Sequence, residues 1–405
     1  MPDTNQTKIA EILSRGVNEV LPNKSSLTKL MTERKIRLYL GIDPTGAFLH
    51  LGHAVVLRKL QQFAQLGHQV ILLVGNGTVR IGDPTGRDES RPVLDDATIE
   101  KNFQDWKTQA SKILDFNLIE IRHNGDWLDK LDYAAMIKLM AKTTVQQLLE
   151  RDMFQKRLAK GLPIYGHEII YPLLQGYDSV AMDVDLEIGG SDQTFNMLMG
   201  RHLQEQYNHH EKWVLTTPLI EGTDGRKMSK SFNNYIALTQ EPRAMYGQLM
   251  RIQDESIIKY FSFLTDVPMA EIIEMEKAMQ KGVNPMAFKK KLALTITTAL
   301  HDAASAKDAE EFFAKTVQND EIPEENVFGT IIIKTITKTD GHSAKVIQTD
   351  PQLSSTELNR RIKQGAAKIL PEMKKIESRA ELLSLADGTK VKLGKRNWYK
   401  IKIYE

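Results

Sequence analysis

Two histidines stand three positions apart at the start of a predicted helix, in the sequence His50-Leu51-Gly52-His53. Residues with this spacing lie on one face of a helix, so both imidazoles point the same way. The free N–H groups and the positive end of the helix dipole favour an anion such as a phosphate there. Gly52 lacks a Cβ, so a flat adenine or a ribose could approach the backbone. The alternative is that the two histidines only cap or pack the helix, and this short pattern by itself favours that alternative.

A second group that could do chemistry lies downstream, in the sequence Lys227-Met228-Ser229-Lys230-Ser231. It follows Gly222, Gly225 and Arg226, which predict a loop. Two lysines beside two hydroxyl groups suit a leaving pyrophosphate, whose charge grows in the transition state. Two lysines in a loop, taken alone, are more often solvated surface.

Regular elements must position these groups. A β-prone run at Ile36–Ile42 ends in the turn Asp43-Pro44-Thr45-Gly46. A helix is predicted from about Gly52 to Leu66, with Gly67 as its stop, and a buried strand at Gln69–Val74. Strand, loop, helix and strand in this order predict a βαβ unit, the start of a doubly wound parallel sheet in an α/β fold.

The remaining pattern divides the chain further. We predict a helical lead-in over 9–34, helical structure over 131–160, strands at Met182–Ile188 and Trp213–Thr216, and helices alone from about 240 to 320. An apolar helix at Leu131–Leu149, inserted between the halves of the sheet, is predicted as either a dimer face or plain core.

Length and composition limit the class of protein. The chain has 405 residues, 41% hydrophobic and 26% charged, which predicts a globular protein of several domains. It contains no cysteine, which excludes disulfides, thiolate metal sites and cysteine nucleophiles and fits a reducing cytoplasm. The N-terminal sequence lacks the pattern of a signal peptide, and no apolar run reaches the ~18 residues that span a bilayer. We therefore expect a cytoplasmic protein that is not inserted in a membrane.

Charge is segregated along the chain. The net charge is +2, but residues 331–405 carry 16 Lys and Arg against 8 Asp and Glu, a net +8 that leaves −6 on the preceding residues. This tail also has a predicted capping box, Ser354 with Glu357, ahead of a helix that carries Arg360, Arg361 and Lys363. A basic run is more often solvated surface, but the charge excess beside a capped helix and an alternating strand favours RNA binding.

The H-L-G-H and K-M-S-K-S sequences, in this order and with the first inside a βαβ unit, resemble the class I aminoacyl-tRNA synthetases. Three more stretches resemble the tyrosyl-tRNA synthetases: Tyr39-x-Gly41-x-Asp43-Pro44-Thr45, Tyr171-x-x-x-Gln175-x-x-Asp178 and Gly189-Gly190-Ser191-Asp192-Gln193. The resemblance covers essentially the whole chain, and the intact K-M-S-K-S motif resembles one of the two bacterial subgroups.

This resemblance implies three domains. A Rossmann-like catalytic domain would span 1–235, with a helical insertion at about 130–180 and the K-M-S-K-S loop at 227–231. An α-helical anticodon-binding domain would follow over 236–330. A small α+β domain over 331–405 would resemble the S-four-type RNA-binding fold.

The implied substrate L-tyrosine makes chemical sense of several residues. Tyr39 and Asp178 could both hydrogen-bond the phenol, and we expect Tyr39→Phe to weaken selection against phenylalanine. Asp83, Tyr171 and Gln175 could receive the ammonium group. The alternative for Tyr171 and Gln175 is a helix face that only contacts core, although Asp178 extends the same face.

The implied reaction is attack of the tyrosine carboxylate on the α-phosphorus of ATP, which releases pyrophosphate, followed by transfer of the tyrosyl group to the terminal ribose hydroxyl of tRNA(Tyr). Neither step needs a protein nucleophile, so positioning and charge stabilisation carry the rate. By resemblance, Thr45 and His50 contact the phosphates, His53 the ATP, and Asp192 and Gln193 the ribose and amino acid. Lys227 and Lys230 would neutralise pyrophosphate together with Mg²⁺. The expected ATP site also includes Gly41, Asp43, Gly52, Gly190, Met228 and Ser231, and no protein-bound structural metal is expected.

The sequence departs from the family pattern at Thr194-Phe195, where many relatives have Trp-Gly, and at Glu187, where some have Gln. The nearest alternative is a tryptophanyl-tRNA synthetase, which Tyr39 and Asp178 disfavour. A synthetase-derived RNA-binding protein without catalysis is disfavoured by the intact His50, His53, Lys227 and Lys230. The resemblance also implies a homodimer.

Overall fold

A computed structural model of the chain describes residues 2–46, 48–85, 94–318, 329–337, 343–349, 353–394 and 397–404. The chain forms two compact units, residues 1–303 and 304–405. The division into three domains stays a prediction, and its second boundary lies beside residues 319–328, which are outside the described part of the chain.

The first unit is built on a six-stranded sheet in the order β1-β6-β5-β2-β3-β4. Its strands are β1 Glu19–Leu21, β2 Arg37–Ile42, β3 Gln69–Val74, β4 Ile119–His123, β5 Leu186–Gly190 and β6 Trp213–Thr217. Strands β2 to β6 are parallel, and β1 pairs antiparallel with β6 at the edge. The predicted α/β fold with a doubly wound parallel sheet is confirmed.

The first unit also contains a set of α-helices, several of which connect strands of the sheet. They are α1 Gln6–Ile12, α2 Lys24–Glu33, α3 Leu51–Gln65, α4 Asp96–Ala110, α5 Gly125–Leu128, α6 Tyr133–Met140, α7 Val145–Leu149, α8 Asp152–Ala159, α9 Gly166–Met182, α10 Thr194–Asn208, α11 Pro242–Leu249, α12 Ile257–Leu264, α13 Met269–Gln280 and α14 Met286–Leu300. None of the described helices has the length and hydropathy needed to cross a membrane.

The chain reverses direction across the sheet at β2. It passes from β2 through α3 to β3 and β4 on one side, then returns to place β5 and β6 on the other side. The side chains of β3 are buried almost throughout, as expected for a central parallel strand covered on both faces. In such a sheet ligands bind beyond the carboxyl ends of the strands at the point of reversal, here between β2 and β5.

Three predicted elements differ from the structure. The helical lead-in is interrupted by β1, whose three residues are too few to give a periodic signal. The single helix predicted at Leu131–Leu149 is two helices, α6 and α7, because Thr144 forms a capping box with Gln147 and starts a new helix. The strand predicted at Met182–Ile188 begins only at Leu186, since α9 continues to Met182.

The second unit is an α+β fold with its own sheet, in the order β10-β9-β11-β12-β7-β8. Its elements are α15 Ala303–Phe313, β7 Gly329–Thr337, β8 Ser343–Thr349, α16 Ser355–Lys363, β9 Ala367–Ile369, β10 Lys374–Lys375, α17 Arg379–Leu383, β11 Lys390–Leu393 and β12 Trp398–Tyr404. Strands β7 and β12 are parallel and the other pairs antiparallel. Ile331 and Ile401 from the sheet pack in one core with Leu358 and Ile362 of α16.

Candidate active site

A cleft of about 290 Å³ opens beyond the carboxyl ends of β2 and β5. It brings together ten of the predicted site residues: Gly41, Asp43, Thr45, His53, Asp83, Tyr171, Gln175, Asp178, Asp192 and Gln193. Trp106, Asn124 and Glu187 also line it. The cleft therefore lies at the reversal point of the sheet, where the topology predicts a ligand site.

One face of α9 forms a wall of the cleft. Tyr171, Gln175 and Asp178 all line it, so this face does not only contact core. The hydroxyl of Tyr171 donates to Oδ2 of Asp43 at 2.9 Å, and Thr78 donates to the other oxygen of Asp43 at 2.8 Å. These bonds fix Asp43 just after the end of β2.

Asp178 is held from behind by two residues that the sequence analysis missed. Trp127 Nε1 donates to its Oδ1 at 2.8 Å and Asn124 Nδ2 to its Oδ2 at 3.2 Å. Burial raises the pKa of Asp178 well above its ordinary value, while these two hydrogen bonds oppose that shift. Asp178 thus offers a buried polar acceptor in the floor of the cleft.

Tyr39 is not among the residues that line the cleft. Its side chain is fully buried with Ile71 and Met182. Its hydroxyl is hydrogen-bonded at 3.0 Å to Oγ of Ser179, the residue after Asp178. Tyr39 sits deeper in β2 than Gly41, so it supports the floor of the cleft from below.

Asp83 is held by a set of donors at the other wall. Its Oδ2 accepts from Gln193 Nε2 at 2.7 Å, and its Oδ1 accepts from the backbone N–H of Thr85 at 2.9 Å. The guanidinium of Arg151 lies 3.9 Å from the carboxylate. Together with Asp43, Asp83 gives this end of the cleft carboxylates that suit a cationic group, whereas the charge of the neighbouring Glu187 is balanced by Lys212.

Phe195, one of the departures from the family pattern, contacts Arg151, which lies beside Asp83. The guanidinium of Arg151 lies 5.2 Å from the centre of its ring, within cation–π range. Arg151 also donates to Thr85 Oγ1 at 2.6 Å. Phe195 therefore helps to position the Arg151 side chain behind Asp83.

His50 and His53 form a reciprocal cap at the start of α3. His50 Nδ1 accepts from the backbone N–H of Gly52, and His53 Nδ1 from that of His50, both at 3.1 Å. Burial and the nearby Lys230 and Lys227 lower the pKa of His50 to about 4, and burial holds the pKa of His53 well below its ordinary value. Both rings are therefore neutral near pH 7.

The space over Gly52 is filled by protein. A Cβ on Gly52 would lie 2.9 Å from the ring of His50. The missing Cβ makes room for the capping imidazole of His50, and the approach of an adenine or ribose to this backbone stays a prediction. The two histidines therefore cap the helix, as the alternative states. His53 also lines the cleft, whereas His50 does not.

The 227–231 loop lies beside the histidines. Backbone hydrogen bonds of 3.0 Å join Leu51 to Ile236 and Leu238 to Leu49, so the segment after the loop pairs with the start of α3. Lys227 Nζ pairs with Oδ2 of Asp192, a cleft residue, at 2.8 Å. The two motifs thus meet at one end of the cleft.

Other residues of the loop have separate positions. Lys230 Nζ lies 5.8 Å from the centre of the Trp106 ring, which itself lines the cleft. Met228 is buried, whereas Ser231 is exposed. Gly190 permits the turn after β5, because a Cβ there would lie 2.6 Å from an oxygen of Asp192.

No group of three or more histidine, aspartate or glutamate side chains that could hold a metal occurs among the described residues.

The predicted RNA-binding residues lie on α16 in the second unit. Ser354 caps this helix by accepting from the N–H of Glu357 at 3.1 Å. Glu357 in turn accepts from Arg360 and Arg361, each at 2.7 Å, and Arg361 also donates to the carbonyl of Leu393 at 2.7 Å. Arg360 and Lys363 are exposed, whereas Arg361 ties the helix to β11.

The fold and the paired motifs define a class I tRNA synthetase. Residues 31–318 match the family described as tRNA synthetases class I (W and Y), and the chain belongs to that family. A tyrosine–tRNA ligase of Thermotoga maritima is 44% identical over 394 residues, 96% of each chain. Another from Carboxydothermus hydrogenoformans is 42% identical over 99% of each chain. Within its class, the chain belongs to the tyrosyl-tRNA synthetases, as its motifs predict.

Solved structures agree on the fold. A C-terminally truncated mitochondrial tyrosyl-tRNA synthetase of Coccidioides posadasii is 25% identical with a TM-score of 0.62, and covers 75% of this chain and 91% of its own. The tyrosyl-tRNA synthetase of Archaeoglobus fulgidus, solved with L-tyrosine, is 19% identical with a TM-score of 0.60, over 76% of this chain and 100% of its own. That second likeness supports the fold alone.

Proposed function

We propose that the cleft joins L-tyrosine and ATP to form tyrosyl-adenylate and pyrophosphate, and that the enzyme then transfers the tyrosyl group to tRNA(Tyr). One observation carries this proposal: one end of a single cleft is lined by the carboxylates of Asp83 and Asp178, and Lys227 of the 227–231 loop pairs with the lining residue Asp192 at the other end. An amino acid with a polar para substituent fits the first end, and a polyphosphate fits the second.

At the acidic end, Asp178 receives the phenol hydroxyl, with Trp127 and Asn124 fixing its carboxylate. Asp83, Tyr171 and Gln175 receive the α-ammonium group. Tyr39 supports this floor through Ser179. Gln193 bonds to Asp83 and positions the amino acid between the two ends.

At the cationic end, Lys227 and Lys230 neutralise the leaving pyrophosphate, and the N-terminus of α3 with His50 and His53 faces the phosphates. Thr45 hydrogen-bonds the transferring phosphate, and Asp192 binds the ribose. Gly41, Asp43, Gly52, Gly190, Met228 and Ser231 complete the ATP site, several of them by shaping the backbone. The neutral histidines donate or accept hydrogen bonds without adding charge.

ATP brings Mg²⁺ with it in this proposal. Mg²⁺ keeps most of its ligands as phosphate oxygens and waters when it is bound to a nucleotide. When bound with ATP, Mg²⁺ would supply positive charge to the phosphates, and Lys227 and Lys230 would neutralise the leaving pyrophosphate beside it.

The tRNA contacts extend along the rest of the chain. We assign residues 236–330 to the anticodon region and residues 331–405 to an S-four-type RNA-binding domain. The exposed Arg360 and Lys363 support the second assignment, since phosphate contacts come from accessible lysines and arginines.

We also propose a homodimer. The helices α6 and α7 expose Tyr133 (83%), Ile137 (49%), Met140 (46%) and Val145 (59%). Apolar side chains exposed together mark interaction surfaces. Sedimentation of wild type against Ile137→Asp tests this: the variant should sediment as a monomer, and an unchanged dimer would place the interface elsewhere.

The experiment that tests the proposed reaction is ATP–pyrophosphate exchange with each of the twenty amino acids. Exchange should depend on tyrosine alone. Exchange with tryptophan in its place would overturn the substrate, and no exchange with any amino acid would favour an RNA-binding protein without catalysis.

A further inference from the structure

Lys212 is a wholly buried lysine next to the cleft floor that the proposed reaction does not use. It precedes β6 and its side chain has no exposed surface. Its Nζ donates to Glu187, to Ser179 Oγ at 2.7 Å and to the carbonyl of Met197 at 3.2 Å. All three donors of the ammonium are therefore used inside the protein.

The surrounding sequence leaves room for this ammonium. A Cβ on Gly200 of α10 would collide with Lys212 Nζ and lie 2.7 Å from Ser179 Oγ. Burying a charge is costly unless it is paired and hydrogen-bonded. The contacts of the Lys212 ammonium therefore indicate which neighbouring groups it holds in place.

Glu187 links Lys212 to the cleft. One oxygen of its carboxylate pairs with Lys212, and the other accepts from Nε2 of Gln175 at 3.1 Å. An ionised carboxylate can only accept, so Gln175 must turn its NH₂ group toward Glu187. The Oε1 of Gln175 then has no donor within the described part of the chain, and Gln175 lines the cleft.

We propose that Lys212 and Glu187 act as a positioning pair, which fixes the amide of Gln175 with its oxygen available to the α-ammonium of the substrate. This rests on the proposed function of the cleft. The ion pair has a second effect, because Lys212 balances the charge of Glu187. The α-ammonium of the substrate then hydrogen-bonds to Gln175 and not to Glu187.

The test removes both charges together. Losing Lys212 alone would leave Glu187 buried and unpaired and would strongly destabilise the fold, whereas replacing both partners of a buried ion pair is often nearly neutral. The variant Lys212→Met/Glu187→Gln is therefore expected to fold, and its thermal unfolding checks this. A glutamine at 187 can present either end of its amide, so the orientation of Gln175 is no longer fixed.

Two tyrosine analogues provide the readout, as inhibitors of tyrosine-dependent pyrophosphate exchange. Tyrosinol keeps the ammonium and lacks the carboxylate, and 3-(4-hydroxyphenyl)propionate lacks the ammonium. In the double variant we expect the inhibition constant of tyrosinol and the KM for tyrosine to rise about tenfold, the value of one hydrogen bond to a charged group. The constant for the deamino analogue and the KM for ATP should stay unchanged.

A matched control is Lys59→Met, which removes another buried lysine, one that binds backbone carbonyls of Ile12 and Arg15 away from the cleft. It should leave the ratio of the two inhibition constants at the wild-type value. Equal weakening of both analogues in the double variant, or no weakening of tyrosinol, would overturn the positioning role. Failure of the proposed function is distinguishable, because the wild type would then show no tyrosine-dependent exchange.

Discussion

The indole nitrogen of Trp127 donates to Oδ1 of Asp178 across 2.8 Å, while Asn124 donates to Oδ2. Both donors belong to the segment that follows β4, and α9 supplies the acceptor. The carboxylate is thereby fixed in the floor of the cleft with lone pairs to spare. Asp178 lines the cleft, whereas Tyr39 does not, and the assignment of either residue to a phenol hydroxyl stays a prediction.

We predict that Asp178→Asn lowers kcat/KM for tyrosine about 10- to 100-fold. The asparagine must turn its NH₂ group toward Trp127 or Asn124, which places two donors opposite each other and removes an acceptor. A buried donor left unpaired costs about 1–3 kcal/mol. Competitive kinetics with phenylalanine, which lacks the hydroxyl, should show a smaller loss and therefore weaker discrimination.

The variant Tyr39→Phe tests whether Tyr39 only supports the floor of the cleft or also binds the phenol of the substrate. The hydroxyl of Tyr39 contacts Ser179 outside the cleft lining, so its removal should cost about 1 kcal/mol of stability and leave discrimination unchanged. Weakened selection against phenylalanine in this variant would return Tyr39 to the phenol site, as the sequence predicts.

The lowered pKa of His50 predicts a pH dependence of stability. Its pKa falls from the ordinary value of 6.5 to about 4 in the folded chain. Between these values the unfolded chain binds more protons, so stability increases with pH. The contribution is fully present above pH 6.5 and is lost as the pH falls through this window, up to about 3 kcal/mol.

Chemical unfolding of wild type and His50→Asn between pH 7 and pH 4 measures this contribution. Asparagine is a good N-cap and carries no titrating group, so it retains the helix start. The difference in unfolding free energy should be constant above pH 6.5 and change below it in favour of the variant. Parallel curves across the whole range would contradict the shifted pKa of His50.

Lys230 is predicted to act on pyrophosphate and not on tyrosine. Its Nζ lies 5.8 Å from the centre of the Trp106 ring, which lines the cleft. Lys230→Met should lower the maximal rate of pyrophosphate exchange by about 10²–10³-fold, the usual effect of losing one group that stabilises transition-state charge. The KM for tyrosine should stay the same.

The control Lys259→Met removes an exposed lysine of α12 that pairs with Glu221, and it should have wild-type rates. A defect in Lys230→Met confined to the KM for tyrosine would contradict this role.

The parts of the site that could be predicted from sequence are those with local patterns. The run Gln69–Val74 is apolar throughout, and a fully buried parallel strand is what it forms. Tyr171, Gln175 and Asp178 follow helical spacing, and one face of α9 carries all three into the cleft. The H-L-G-H and K-M-S-K-S motifs meet because each follows a strand of the parallel sheet, β2 and β6, and the carboxyl ends of these strands lie on the same side.

The residues that sequence analysis missed come from segments without such a pattern. Asn124 and Trp127 lie in a turn and a four-residue helix, and they reach Asp178 only because β4 is the neighbour of β3 in the sheet order. Lys212 is one lysine among many in the sequence, and only the absence of a side chain at Gly200 hints that it is buried. The full burial of Tyr39 could not be predicted either, because alternation along β2 predicts which face a side chain takes, but not how deep it lies.

The final prediction concerns the basic tail. The double variant Arg360→Glu/Lys363→Glu reverses two exposed charges of α16 and keeps the buried Leu358 and Ile362 that hold the helix. If the tail binds RNA, affinity for tRNA(Tyr) should fall and the salt dependence of binding should become shallower, because fewer counterions are released. Pyrophosphate exchange should be unaffected, since these residues lie in the second unit.

Lys29→Glu, an exposed charge reversal on α2, serves as the control. Unchanged tRNA affinity and salt slope in the double variant would mean that the positive charge of α16 is solvated surface, the alternative that composition alone leaves open.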